Sequence, residues 1–226
     1  MDKVTTWGQA MDFTFRNKPE WKHGNGSKTS RYNCNHFTRL QGLSFPVKSI
    51  RPAVMLQVGN ELEAEGKSNA TINRVTSAVS TAVRFCAELE LCEMPPPFKR
   101  RKETPGRKFY FTKEQVDRLA MISTEVFGRV DLHDIILFAA YTGMRQGEIL
   151  RIRAKDIDWN HNRIMVGGVP GQWTKASDLR SIPIHDRIVS IVQQRCSQST
   201  RKDVRLFGDE WRDKDQLLNA FKKVVR

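Results

Sequence analysis

The chain has 226 residues, 39% hydrophobic and 28% charged, with 12 Phe and five Trp. That composition implies one large or two small packed cores and excludes a disordered polymer, which is poor in large aromatics. Lys and Arg number 38 against 25 Asp and Glu, a net charge of +13 at pH 7, so a polyanionic partner is expected, nucleic acid first and an acidic membrane surface second.

A membrane reading finds little support. No apolar run approaches the ~18 residues of a bilayer span, and no basic amphipathic helix stands apart from core patterning. Met1-Asp2-Lys3 opens no secretion signal. Cys34, Cys86, Cys92 and Cys196 are scattered without paired spacing, which fits a reducing cytoplasm.

Residues 1–93 read as a helical bundle. Thr5 to Phe15 places Trp7, Ala10, Met11 and Phe15 at helical spacing, and Ser30 to Leu40 does the same with Tyr32, Phe37 and Leu40. Ser49 to Glu65 carries Val54, Leu56, Val58 and Leu62, with Gly66 as its C-cap. Ser68 or Asn69 then caps a long helix through Leu91, in which Ile72, Val75, Val79 and Val83 recur at three and four residues. These stripes are read as core.

Met94-Pro95-Pro96-Pro97 breaks the pattern, because each Pro lacks an N–H and restricts the residue before it. Residues 94–110 are read as an interdomain linker. Positions 99–110 hold six basic residues and one acidic, a net of +5, against +3 for residues 1–98 and +5 for residues 111–226. One reading is a solvated tether. The functional one is a strap across a phosphate backbone, with Lys99, Arg100, Arg101, Lys102, Arg107 and Lys108 as DNA contacts.

Residues 111–226 alternate helix and strand signals. Thr112 caps a helix with Val116, Leu119 and Ile122 on its buried face. Asp131 to Tyr141 is strongly apolar and stops at Thr142-Gly143; a further helix is expected from Arg145 to Arg151. Strand-like pieces follow at Asp156–Trp159, Arg163–Val166 and Leu179–Ile184, then helices at Asp186–Cys196 and Asp213–Val225. The expected fold is mainly α with a small antiparallel β-sheet.

Two islands carry chemistry. In Tyr141-Thr142-Gly143-Met144-Arg145-Gln146-Gly147-Glu148, an Arg opens a helix with Glu three residues on. A guanidinium there offers a planar fork to phosphate oxygens, and the helix dipole favours an anion; the plain alternative is a surface ion pair. In Thr174-Lys175-Ala176-Ser177-Asp178-Leu179-Arg180-Ser181-Ile182-Pro183-Ile184, a hairpin Lys could protonate a leaving alkoxide. Alone it is a common solubility residue. His23, Cys34 and His36 lack a fourth ligand at finger spacing, and Gly167, Gly168 and Gly171 lack the Lys-Ser/Thr of a phosphate loop, so no metal or cofactor is expected.

Together and in this order, the islands resemble the tyrosine recombinases, the phage-type integrases. Thr142 to Glu148 matches the Thr-Gly-x-Arg-x-x-Glu context of the family's first catalytic Arg. Thr174, Lys175, Arg180, Ile182, Pro183 and Ile184 match the surroundings of its catalytic Lys, and Asp156-Ile157-Asp158-Trp159 looks like the strand between them. The resemblance implies a core-binding, SAM-like helical domain over 1–93, a basic linker over 94–110 and the first part of an α+β catalytic domain over 111–226. It also implies metal-free cleavage of double-stranded DNA through a 3′-phosphotyrosyl link, in a bacterial or phage-infected cell. Arg145 would stabilise the phosphate charge, Lys175 would act as general acid, Glu148 would orient the Arg, and Arg180 would join the linker cations on DNA.

The family pattern continues with a His-x-x-Arg helix, a His or Trp, and a nucleophilic Tyr. Those features are not found in these residues, and Tyr32, Tyr110 and Tyr141 do not occupy the nucleophile's place. The chain alone is therefore expected to bind DNA without cleaving it, to meet full-length protomers as partners, and to form tetramers poorly. Three readings stay open: a recombinase whose frame ends early, a silent DNA-binding competitor of a full-length enzyme, and a basic RNA-binding or scaffold protein.

Overall fold

The computed structural model describes residues 3–106, 109–167, 179–198, 203–207, 211 and 213–225. The chain forms two compact units, residues 1–107 and 108–226. Among the described residues no helix is long and apolar enough to cross a membrane.

The first unit is helical: α1 (Trp7–Asn17), α2 (Pro19–Lys22), α3 (Gly24–Gln41), α4 (Pro52–Ala64) and α5 (Asn69–Glu88), with a 3-10 turn at Val47–Ser49. Its ends follow local chemistry. The Thr6 hydroxyl accepts from the Gln9 amide while the Gln9 side chain accepts from the Thr6 amide, a reciprocal cap on α1. Ser68 caps α5 by accepting from the Thr71 amide. Gly66 takes φ +79° after α4, and the Lys67 amide reaches back to the Leu62 carbonyl at 2.9 Å.

Trp7, Phe37, Leu62, Val75 and Val79 are buried at the centre of this unit. Trp7 packs edge-on against Phe37, with ring centroids 5.0 Å apart, and its indole N–H donates to the Thr38 hydroxyl at 2.8 Å. Two expectations need revision. The four-residue α2 is too short to show a hydrophobic period. The long helix stops at Glu88 rather than Leu91, because Glu90 adopts φ +59° and the Leu91 amide folds back to the Cys86 carbonyl.

The second unit contains α6 (Lys113–Glu125), α7 (Val130–Thr142), α8 (Gln146–Ile149), β1 (Ile157–Asp158), β2 (Arg163–Val166), β3 (Arg180–Pro183), α9 (Asp186–Ser197) and α10 (Lys214–Val225). Among the described residues the strands form one antiparallel sheet in the order β1-β2-β3. Its register pairs Ile164 with Ile182 and Val166 with Arg180. Strand alternation puts these four on one face, and Ile164 and Val166 are buried in a core with Phe138, Ile188, Val192 and Phe207. The fold is thus mainly helical with a small antiparallel sheet. The helix expected over Arg145–Arg151 is only the single turn α8, with Leu150 as its C-cap and the Arg151 amide shifting to the Glu148 carbonyl three residues back.

A buried ion pair fastens α7 to α9. Arg195 donates through Nε and Nη2 to Asp134 Oδ2 at 3.0 and 2.8 Å, with both side chains 9% exposed. The other Asp134 oxygen meets His133 Nδ1 at 3.0 Å. Removing the carboxylate takes from the buried Arg195 guanidinium its countercharge, so Asp134→Ala is expected to destabilise the second unit by about 3–5 kcal/mol. Urea denaturation at pH 7 checks this, and a loss below about 1 kcal/mol would mean the pair is solvated.

Candidate functional site

The site is built where α7 ends. Gly143 takes φ +60° as the C-cap of α7, a left-handed conformation that residues with a Cβ adopt at a cost. The Thr142 hydroxyl donates to the Phe138 carbonyl at 2.6 Å and accepts from the Met144 amide at 3.3 Å. The turn so fixed delivers Arg145 to the N-cap of α8. Gln146, next along, donates to the Lys214 carbonyl at 2.6 Å and ties α8 to the start of α10.

Glu148 is the hub. Its side chain is 4% exposed. One oxygen accepts from the Arg145 amide at 2.8 Å and from Arg180 Nη2 at 2.6 Å; the other accepts from Arg145 Nη1 and Arg180 Nη1, both at 3.1 Å. Burial alone would raise this carboxyl, but the hydrogen bonds from Arg180, then from the Arg145 amide and guanidinium, outweigh it and hold the group at about 2. A carboxylate that is nearly always ionised therefore grips two guanidinium groups.

The two arginines are not equivalent. The Arg145 side chain is 62% exposed and gives only Nη1 to Glu148, which leaves other donors facing outward. Arg180 is 35% exposed and donates twice. It stands on the core-facing side of β3, where a cation needs a carboxylate. The expected contribution of a helix dipole shrinks with α8 to one turn; the field at Arg145 is set by the Glu148 charge and the Arg180 countercharge.

The other candidate residues separate by location. Lys175 lies outside the described residues, as do Arg107 and Lys108. Lys99, Arg100 and Lys102 are exposed on the first unit. Arg101 is turned inward: Nη1 donates to Glu63 at 2.7 Å and Nη2 to Asn60 at 2.6 Å. Residues 94–106, expected as a separate linker, belong to the first unit. Arg180 as the second partner of Glu148 was missed, although its place two residues before Ile182 in a strand is a signal for the buried face. Among the tyrosines, Tyr32 lies on α3, Tyr110 is exposed near the start of the second unit, and the Tyr141 hydroxyl is buried. Cys34 sits fully buried in α3, and burial pushes its thiol up to about 12.

This fold is that of the tyrosine recombinases. A Tn1549 transposon integrase in complex with a circular intermediate DNA aligns at a TM-score of 0.66 and 16% identity, over 88% of this chain and 67% of that one. A lambda integrase dimer bound to a COC' core site gives 0.68 and 15% over 100% and 65%. A lambda integrase tetramer bound to a Holliday junction gives 0.64 and 17% over 98% and 67%. The chain spans about two thirds of the length of these integrase chains. No curated protein sequence matches it. Residues 110–218 match the phage integrase family.

The depressed Glu148 carboxyl ties stability to pH. Its folded value lies below the usual 4.5, so its contribution is present above that value and is lost as pH falls towards about 2. Glu148→Gln is expected to lower the stability of the second unit by about 3 kcal/mol at pH 7, with the gap to wild type narrowing in acid. Parallel urea titrations at neutral and acidic pH test this; equal stabilities at pH 7, or a gap unchanged in acid, contradict it.

Proposed function

We propose that the chain binds double-stranded DNA and holds a backbone phosphodiester at Arg145, as part of the strand cleavage and rejoining carried out by tyrosine recombinases. The observation that carries this reading is the Arg145–Glu148–Arg180 arrangement: an outward guanidinium held from behind by a buried carboxylate, whose charge a second arginine balances. Arg145 then meets a phosphate with its geometry already set, the condition under which electrostatic stabilisation is most effective. A guanidinium fork suits two non-bridging phosphate oxygens. Arg180 and Glu148 act on Arg145 as positioning residues rather than through the phosphate. Lys175 is proposed as general acid to the 5′-oxygen that leaves when a tyrosine hydroxyl attacks that phosphate, a step these residues do not complete by themselves.

None of the three tyrosines is assigned as nucleophile. We therefore propose that these 226 residues engage DNA in the cytoplasm without forming the covalent intermediate, either beside full-length protomers or as their competitor. The net charge of +13 supports duplex binding, with contacts dominated by phosphates and little sequence information in them. The solved integrases of the same fold are bound to DNA, as a dimer in one case and a tetramer in another.

Fluorescence anisotropy on a DNA duplex over a range of salt tests the reading. Wild type should show a steep loss of affinity with salt, and Arg145→Ala should reduce the slope of log K against log salt by about 1. A suicide duplex should leave no covalent adduct on a denaturing gel. A salt-independent association, or an Arg145→Ala variant identical to wild type, defeats the binding assignment. An adduct defeats the assignment of a silent chain.

A further inference from the structure

The basic stretch after the prolines is clipped to the first unit, and the clip is Asn73. This amide is 2% exposed in α5, yet the bonds its side chain makes run to the stretch. Asn73 Oδ1 accepts from the Arg101 amide at 2.8 Å, and Nδ2 donates to the Arg101 carbonyl at 2.8 Å and to Glu103 Oε1 at 2.7 Å. It thus pairs with one backbone residue as a neighbouring strand would. One turn earlier, Asn69 donates to the Lys102 carbonyl at 2.8 Å.

A second arrangement repeats the message. A Cβ on Gly59 of α4 would stand 3.0 Å from Arg101 Nη2 and 3.2 Å from Nε. Gly is a poor residue inside a helix, and its presence here clears a seat for the Arg101 guanidinium, which Glu63 and Asn60 then hold. With Arg101 turned in, its neighbours turn out. Lys99 and Lys102 are exposed, and Arg100 has only a 3.7 Å contact with Glu103, both side chains being well solvated. Salt and water screen such a pair.

We propose that Asn73 is a positioning residue for DNA binding. It sets residues 98–103 as a fixed strip on α4 and α5, from which Lys99, Arg100 and Lys102 meet the phosphates of one duplex strand. The proposal rests on the DNA-binding reading above. Its physical content is preorganisation: a loose basic segment loses backbone freedom on each binding event, whereas a clipped one has lost it on folding.

Positioning and charge give different signatures. Asn73→Ala keeps every cation, so it should weaken binding of a random-sequence duplex by about tenfold while the salt slope stays at the wild-type value. It should also speed tryptic cleavage after residues 99–102. The triple variant Lys99→Ala/Arg100→Ala/Lys102→Ala should instead lower the slope by roughly 1–3. Should Asn73→Ala fail to fold, the double variant Gly59→Ala/Asn69→Ala, which raises helix propensity, loosens the same strip and is held to the same two readouts. Wild-type affinity in the positioning variants, or weakening accompanied by a reduced slope, overturns the proposal while duplex binding stands. Absence of salt-dependent binding by wild type overturns both.

Discussion

One buried carboxylate organises the second unit. Taking Glu148 out of water costs several kcal/mol, and the cost is offset only because hydrogen-bond donors converge on both of its oxygens. Each donor comes from a different level of the structure. The Arg145 amide is local backbone, the Arg145 guanidinium is a neighbour one turn away, and Arg180 arrives from a strand 32 residues further on. The same carboxylate therefore joins the turn after α7 to the edge of the sheet. If it were lost, two like charges would face each other across the space it occupies.

The charge surplus is distributed unevenly by chemistry. Arginines take up inward or paired positions: Arg195 with Asp134, Arg101 with Glu63, Arg187 with Asp117, Arg39 with Glu65. Arg129 also lies over the Trp211 ring at 4.6 Å, in addition to its pair with Asp131. Their planar forks make them suited to such bidentate and stacked contacts. Lysines such as Lys99 and Lys102 remain in solvent. The formal charge thus overstates what a polyanion meets, because part of it is already balanced by carboxylates of the chain.

How much of this could be read beforehand follows from the range of each interaction. Caps and periods are local, so Thr112, Gly66 and Gly143 mark their helix ends, Ser68 is the cap of the two that the sequence offers, and β2 spans the expected Arg163–Val166. The Arg145–Glu148 pair spans three residues and was also legible. Pairings between distant residues were not. Nothing near Arg101 in sequence announces Asn73 or Asn60, which lie 28 and 41 residues away, so a stretch that reads as a free linker is in fact docked. The resemblance puts Arg180 among the DNA contacts and says nothing of Glu148; only the alternation with Ile182 and Ile184 reveals its inward face. Lys175 lies outside the described residues.

Because β3 alternates, the pairing of Arg180 depends on parity. Deleting or inserting a single residue between Arg180 and Ile182 rotates the arginine to the opposite side of the sheet. A change of two residues restores the facing. Length variation in this strand is therefore constrained to even steps, while the connection before it is free of that restriction. Homologous chains aligned across this segment should differ in length upstream of the arginine rather than between it and Ile182 within the strand.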